Sequence, residues 1–106
     1  MPKFLFKAAY TAEGVRGLIK EGGSARRKAV EKMTKDVGGR LEGFYYSYGD
    51  ADAYVFADLP DEAAALAVSL AVNASGAVRL TTIPLIAPED IDAAGKKAVA
   101  YRAPGA

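Results

Sequence analysis

The spacing of apolar residues switches repeatedly between a period of two and a period of three to four along residues 4–86, and that alternation admits few architectures. Phe4 to Tyr10 mixes aromatic and apolar residues with Lys7, a run short enough for a strand, and Thr11 after it suits a helix N-cap. Val15, Leu18, Ile19, Ala29, Val30, Met33 and Val37 then fall at the spacing of an apolar helical stripe. Gly22-Gly23-Ser24 interrupts it. Each glycine costs about 1 kcal/mol inside a helix, so two helical pieces are expected, with Ser24 capping the second and Gly38-Gly39 ending it. Arg40 to Tyr48 and Asp52 to Leu59 return to alternation on either side of Gly49-Asp50, predicting a hairpin in which Gly and Asp supply positive φ. Pro60-Asp61-Glu62 starts a helix with Pro in its first turn, the alanine-rich run to Asn73 continues it, Ser75-Gly76 closes it, and Ala77 to Ile86 reads as the last strand.

The order β-α-β-β-α-β is that of an α+β, ferredoxin-like sandwich, four antiparallel strands with both helices on one face. The strands are apolar or aromatic at both parities: Phe4, Phe6 and Tyr10 oppose Leu5 and Ala9, and Tyr45 opposes Phe44, Tyr46 and Tyr48. A sheet wetted on one side shows cleaner alternation, so the uncovered face is expected to meet a second sheet. An identical subunit supplies one most economically, making the chain its own partner in a two-fold dimer or higher homo-oligomer. Residues 1–98 are expected to form one domain, with a short helix over Pro88 to Ala98 and a loose tail over residues 99–106.

Composition removes several classes of chemistry. The 106 residues contain no cysteine and no histidine, which excludes a disulfide framework, a thiolate nucleophile, the usual zinc ligands, the commonest general base and the usual proximal haem ligand. No cofactor and no metal are expected. Fourteen basic residues against thirteen acidic leave no field to capture nucleic acid or an anionic membrane. The start Met1-Pro2-Lys3-Phe4-Leu5-Phe6 lacks a secretory signal pattern, so a cytoplasmic location is expected.

The richest stretch for a site runs from Phe44 to Phe56, which holds four of the six tyrosines with Asp50 and Asp52. Tyr10, Tyr46, Tyr48 and Tyr54, with Tyr45, are candidates to line a cavity between sheets and offer hydroxyls to a ligand, or equally to pack an interface. Asp52 lies one step past the turn and invites a role as polar anchor or proton acceptor, whereas Asp50 reads as a turn former. Arg79, alone on an apolar strand, requires either a carboxylate such as Asp52 or an anionic ligand. Lys7 reads as an exposed strand residue, Arg26-Arg27-Lys28 as a solvated helix face, and Gly22-Gly23-Ser24 as a helix break rather than a phosphate loop.

Tyr10-Thr11-x-x-Gly14, Gly39 with Phe44-Tyr45-Tyr46, Gly49-x-x-Asp52, Pro60-Asp61-Glu62-Ala63-Ala64 and Val78-Arg79-x-Thr81-Thr82 together resemble the GYD domain family over roughly Met1 to Glu89. The resemblance implies a fold of the dimeric α/β barrel superfamily, whose other members include cofactor-free monooxygenases, small isomerases and haem enzymes; the family itself has no assigned reaction. Where it usually has Gly-x-Tyr-Asp this chain has Gly49-Asp50-Ala51-Asp52, so the motif phenol is absent and Tyr48 or Tyr54 is the candidate to fill its place. Three functions follow as expectations: a small-molecule-binding module anchored by Arg79 and Asp52, a cofactor-independent enzyme acting on a small aromatic or carbonyl compound, and an assembly protein whose cavity is filled by side chains.

Overall fold

The computed structural model describes residues 1–106. Its elements are β1 (Lys3–Tyr10), α1 (Ala12–Glu21), α2 (Gly23–Asp36), β2 (Arg40–Tyr46), β3 (Ala53–Asp58), α3 (Glu62–Ala74), β4 (Val78–Leu85) and α4 (Pro88–Gly95). The strands form one antiparallel sheet in the order β2-β3-β1-β4, the ferredoxin-like arrangement. No helix is long and apolar enough to cross a membrane.

Local chemistry explains most of the boundaries. The Thr11 hydroxyl accepts from the Gly14 amide at 3.2 Å and caps α1. The Thr11 amide and hydroxyl also reach the turn ahead of β4, donating to Ala77 O at 3.0 Å and Gly76 O at 3.0 Å respectively. That close approach is why residue 14 is glycine: a Cβ there would collide with the Ala77 carbonyl oxygen and sit 3.3 Å from Tyr10 Cβ. The break between α1 and α2 comes at Gly22, whose φ of +91° only glycine adopts readily. Gly22 rather than Ser24 is the N-cap of α2, with no side-chain bond, and Ser24 lies inside the helix. Likewise Asp61 caps α3 by accepting from the Ala64 amide at 2.9 Å, which leaves Pro60 before the helix rather than in its first turn.

The β2–β3 connection differs from the expected tight hairpin. Residues 47–52 span it, none of them with positive φ. It closes through Ser47 N donating to Asp52 O at 2.8 Å and Asp52 N donating to Ala8 O at 2.8 Å, so a neighbouring strand rather than turn chemistry sets its path. An irregularity between Leu41 and Gly43 shifts the β2 register and sets Glu42 beside Lys3, with which it forms an ion pair.

Register divides the strands into two faces. Phe4, Phe6, Ala8, Val55, Ala57 and Val78 are buried on the face covered by α1, α2 and α3, joined by Leu59, Ala65 and Val68. The other face sets Leu5 beside Phe56 and Ile83, and Lys3 beside Asp58 and Leu85, with no helix over them. Asp58 is only 6% exposed and accepts from Lys3 Nζ at 2.8 Å and Arg40 Nη2 at 2.9 Å, bonds that hold its carboxyl below the ordinary aspartate range. Helix α4 is one turn shorter than the expected Pro88 to Ala98 and buries none of its residues. With the exposed residues 96–106 it draws the radius of gyration to 17.0 Å, against about 13 Å for a compact domain of this length.

Candidate ligand-binding site

Between the sheet and helices α2 and α3 lies an apolar cavity of about 50 Å³. Phe6, Ala8, Phe44, Val55 and Val78 form its floor, and Val30, Met33, Val68 and Val72 its roof. Apart from Thr34, whose hydroxyl donates to Val30 O at 2.8 Å, its one side chain that is not apolar or tyrosine is Arg26. A wider groove of about 510 Å³ lies beside the cavity and shares Tyr10, Arg26, Met33, Val72 and Val78 with it, so these residues form the neck between the two. Glu13, Gly14, Gly17 and Glu21 of α1, Ala71 of α3 and Ser75 just after it line the outer part. Together the two spaces fall in the range of ordinary small-ligand sites.

Tyr10 reaches the neck because β1 alternates and its even-numbered residues face the helices. Its backbone amide is fixed by Asp52, whose Oδ2 accepts it at 2.8 Å just where β1–β3 pairing has ended at Ala8↔Ala53. Asp52 therefore satisfies an otherwise orphaned strand amide and holds Tyr10 in place. Tyr46 stands beside Tyr10. Its ring makes an edge contact with Phe44, centroids 5.0 Å apart, and its hydroxyl donates to Gly23 O at 3.1 Å at the start of α2. Desolvation raises the Tyr10 pKa against the opposing pull of Arg26 and the Tyr46 hydroxyl. Desolvation and the adjacent Tyr10 push Tyr46 up to about 12. Both phenols thus stay protonated at neutral pH and serve as neutral hydrogen-bonding groups rather than bases.

The candidates named from sequence separate in space. Tyr10 lines the neck, with Asp52 on its backbone amide and Tyr46 next to its phenol, while neither Asp52 nor Tyr46 lines the cavity or the groove. Tyr54 and Arg79 lie on the opposite, helix-free face: Tyr54 carries Lys7 Nζ 6.0 Å from its ring centroid, and Arg79 is exposed, with no ion pair to Asp52 or any other carboxylate. Tyr48 is fully exposed in the β2–β3 connection. Ala51, at the place of the motif tyrosine, is buried at 4% exposure, and the fully exposed Tyr48 does not fill its position. Arg26 is the residue that sequence reasoning passed over. It precedes Val30 and Met33 at helical spacing on the inward stripe of α2, a signal hidden inside the run Arg26-Arg27-Lys28.

A four-stranded antiparallel sheet backed by helices, with an apolar cavity edged by the Tyr10 phenol and the Arg26 guanidinium, defines a ferredoxin-like α+β domain. The model of the GYD domain matches residues 4–94, and the chain belongs to the GYD domain family. No curated protein and no solved structure matches it.

Proposed function

We propose that this GYD domain protein is a homodimeric small-molecule-binding module, its ligand entering by the groove and seating an apolar group in the cavity between sheet and helices. The observation that carries this reading is the apolar cavity beside a solvent-facing groove, with Tyr10 and Arg26 at the neck they share. Binding is favoured over cofactor-independent catalysis by the protonation of the neck. Both phenols have raised pKa, and Asp52, whose Oδ2 accepts the Tyr10 amide, lines neither the cavity nor the groove. The dimer is supported by the helix-free face, where Leu5, Phe56, Ile83 and Leu85 lie on adjacent strands without cover. Sheet-to-sheet packing of two copies would bury them.

Native mass spectrometry of the purified full chain tests both parts. The expected result is a dimer with a discrete additional mass, lost in a folded Val30→Phe variant that blocks the cavity roof. A monomer would overturn the assembly. If wild type carries no added mass and takes up none from a panel of small aromatic and aliphatic compounds, the binding reading falls.

A further inference from the structure

Resting on the binding role just described, we propose that the site selects amphiphilic monoanions: a small aromatic or branched aliphatic group in the cavity and one carboxylate or phenolate at the neck, held by Arg26. Arg26 is the single charged side chain on the cavity lining. It is partly buried, while Arg27 and Lys28 beside it are exposed. Lys3, Lys32 and Arg40 each hold a carboxylate, but Arg26 has no ion pair, although Glu13 and Glu21 line the same groove. A guanidinium drawn partly out of water onto an apolar wall, with no carboxylate paired to it, is suited to hold an anion.

The neighbouring groups fit the same ligand. Tyr10 shares the neck with Arg26, and its hydroxyl keeps its proton to donate to an oxyanion. The guanidinium offers a planar pair of donors that matches a carboxylate edge. Selection for a single negative charge comes from Glu13 and Glu21, which line the outer groove and repel a second anionic group there. The apolar part is bounded by the cavity of about 50 Å³, which admits a branched alkyl group or the edge of one ring.

Isothermal titration of the full-length protein with phenylacetate and with its neutral counterpart 2-phenylethanol tests the inference, repeated with 3-methylbutanoate and 3-methylbutan-1-ol. Wild type is expected to bind each acid about tenfold or more tightly than its alcohol, as one charge-assisted contact implies. Arg26→Gln should bring acid and alcohol to parity, while Arg27→Gln, on the exposed side of α2, keeps the preference. Equal binding of acid and alcohol by wild type, or a preference that survives in Arg26→Gln, overturns the ligand class. Alcohol binding that Val30→Phe abolishes would in that case leave the binding role standing. Absence of binding by all four probes in a folded protein overturns both.

Discussion

Gly14→Ala isolates the contact that sets α1 on the sheet and so shapes the groove. The added methyl would collide with the Ala77 carbonyl oxygen, forcing α1 and the start of β4 apart. Overpacking of this kind costs about 1–3 kcal/mol. Parting the two segments also weakens the bonds from the Thr11 amide to Ala77 O, 3.0 Å, and from the Thr11 hydroxyl to Gly76 O, 3.0 Å. At about 1 kcal/mol each, their loss adds roughly 2, and the better helix propensity of alanine returns about 1. The net loss is about 2–4 kcal/mol, or roughly 10–20 °C in Tm for a domain of this size. Gly17→Ala is the matched control. It lies in the same helix with nothing near its added methyl, so it should stabilise by about 0.5–1 kcal/mol. Thermal and urea unfolding of both variants read the difference. Equal stabilisation by the two substitutions would refute the close-approach account and return Gly14 to an ordinary helical glycine.

Other substitutions probe separate parts of the structure. Thr82 carries a buried hydroxyl with no partner, so Thr82→Val should raise stability by about 1 kcal/mol in urea titration, and a loss of that size would mean the hydroxyl is bonded. Asp58 has a depressed pKa in the folded state, so its contribution is present above the ordinary aspartate pKa and lost as pH falls through the folded one. Acid unfolding of Asp58→Asn should accordingly show a weaker pH dependence below about pH 4 than wild type, and identical curves would contradict the Lys3 and Arg40 pairing. The Tyr46 phenol is pushed up to about 12, so ultraviolet difference titration should show a late-ionising phase that Tyr46→Phe diminishes, and an unchanged late phase in the variant would contradict the burial of that phenol. Its sign is opposite to that of Asp58, the stabilising contribution being held below pH 10 and lost as pH rises toward 12.

The parts legible in the sequence are those written in local spacing. Thr11 announced the start of α1, Gly22-Gly23 its break, and Ser75-Gly76 the end of α3, because caps and glycine conformations act within a few residues. Strand order followed from element order through the ferredoxin-like pattern and the family resemblance. What spacing alone does not carry is the face each strand presents relative to the others. Parity places Tyr10 and Arg79 within their own strands, but only the register Ala9↔Arg79 sets Arg79 on the face opposite Tyr10. A single tyrosine-lined cavity that also contained Tyr54 and Arg79 therefore gave way to two separate surfaces. Asp52 read as a polar anchor or proton acceptor, and its bond to the Tyr10 amide was not legible because the two residues are 42 positions apart. Arg26 read as one charge in a basic run because its difference from Arg27 and Lys28 is angular, visible only when the α2 stripe is extended back one turn from Val30.

The central claim is that an apolar, accessible cavity lies between the sheet and α2 and α3. Methyl-resolved NMR under xenon pressure tests it directly, since xenon enters dry apolar cavities without needing a polar handle. Shifts concentrated on Val30, Val55, Val72 and Leu80, with Leu5, Ile83 and Leu85 of the helix-free face unmoved, are the predicted result. Xenon shifts confined to the helix-free face, or none at the cavity methyls, would contradict the account.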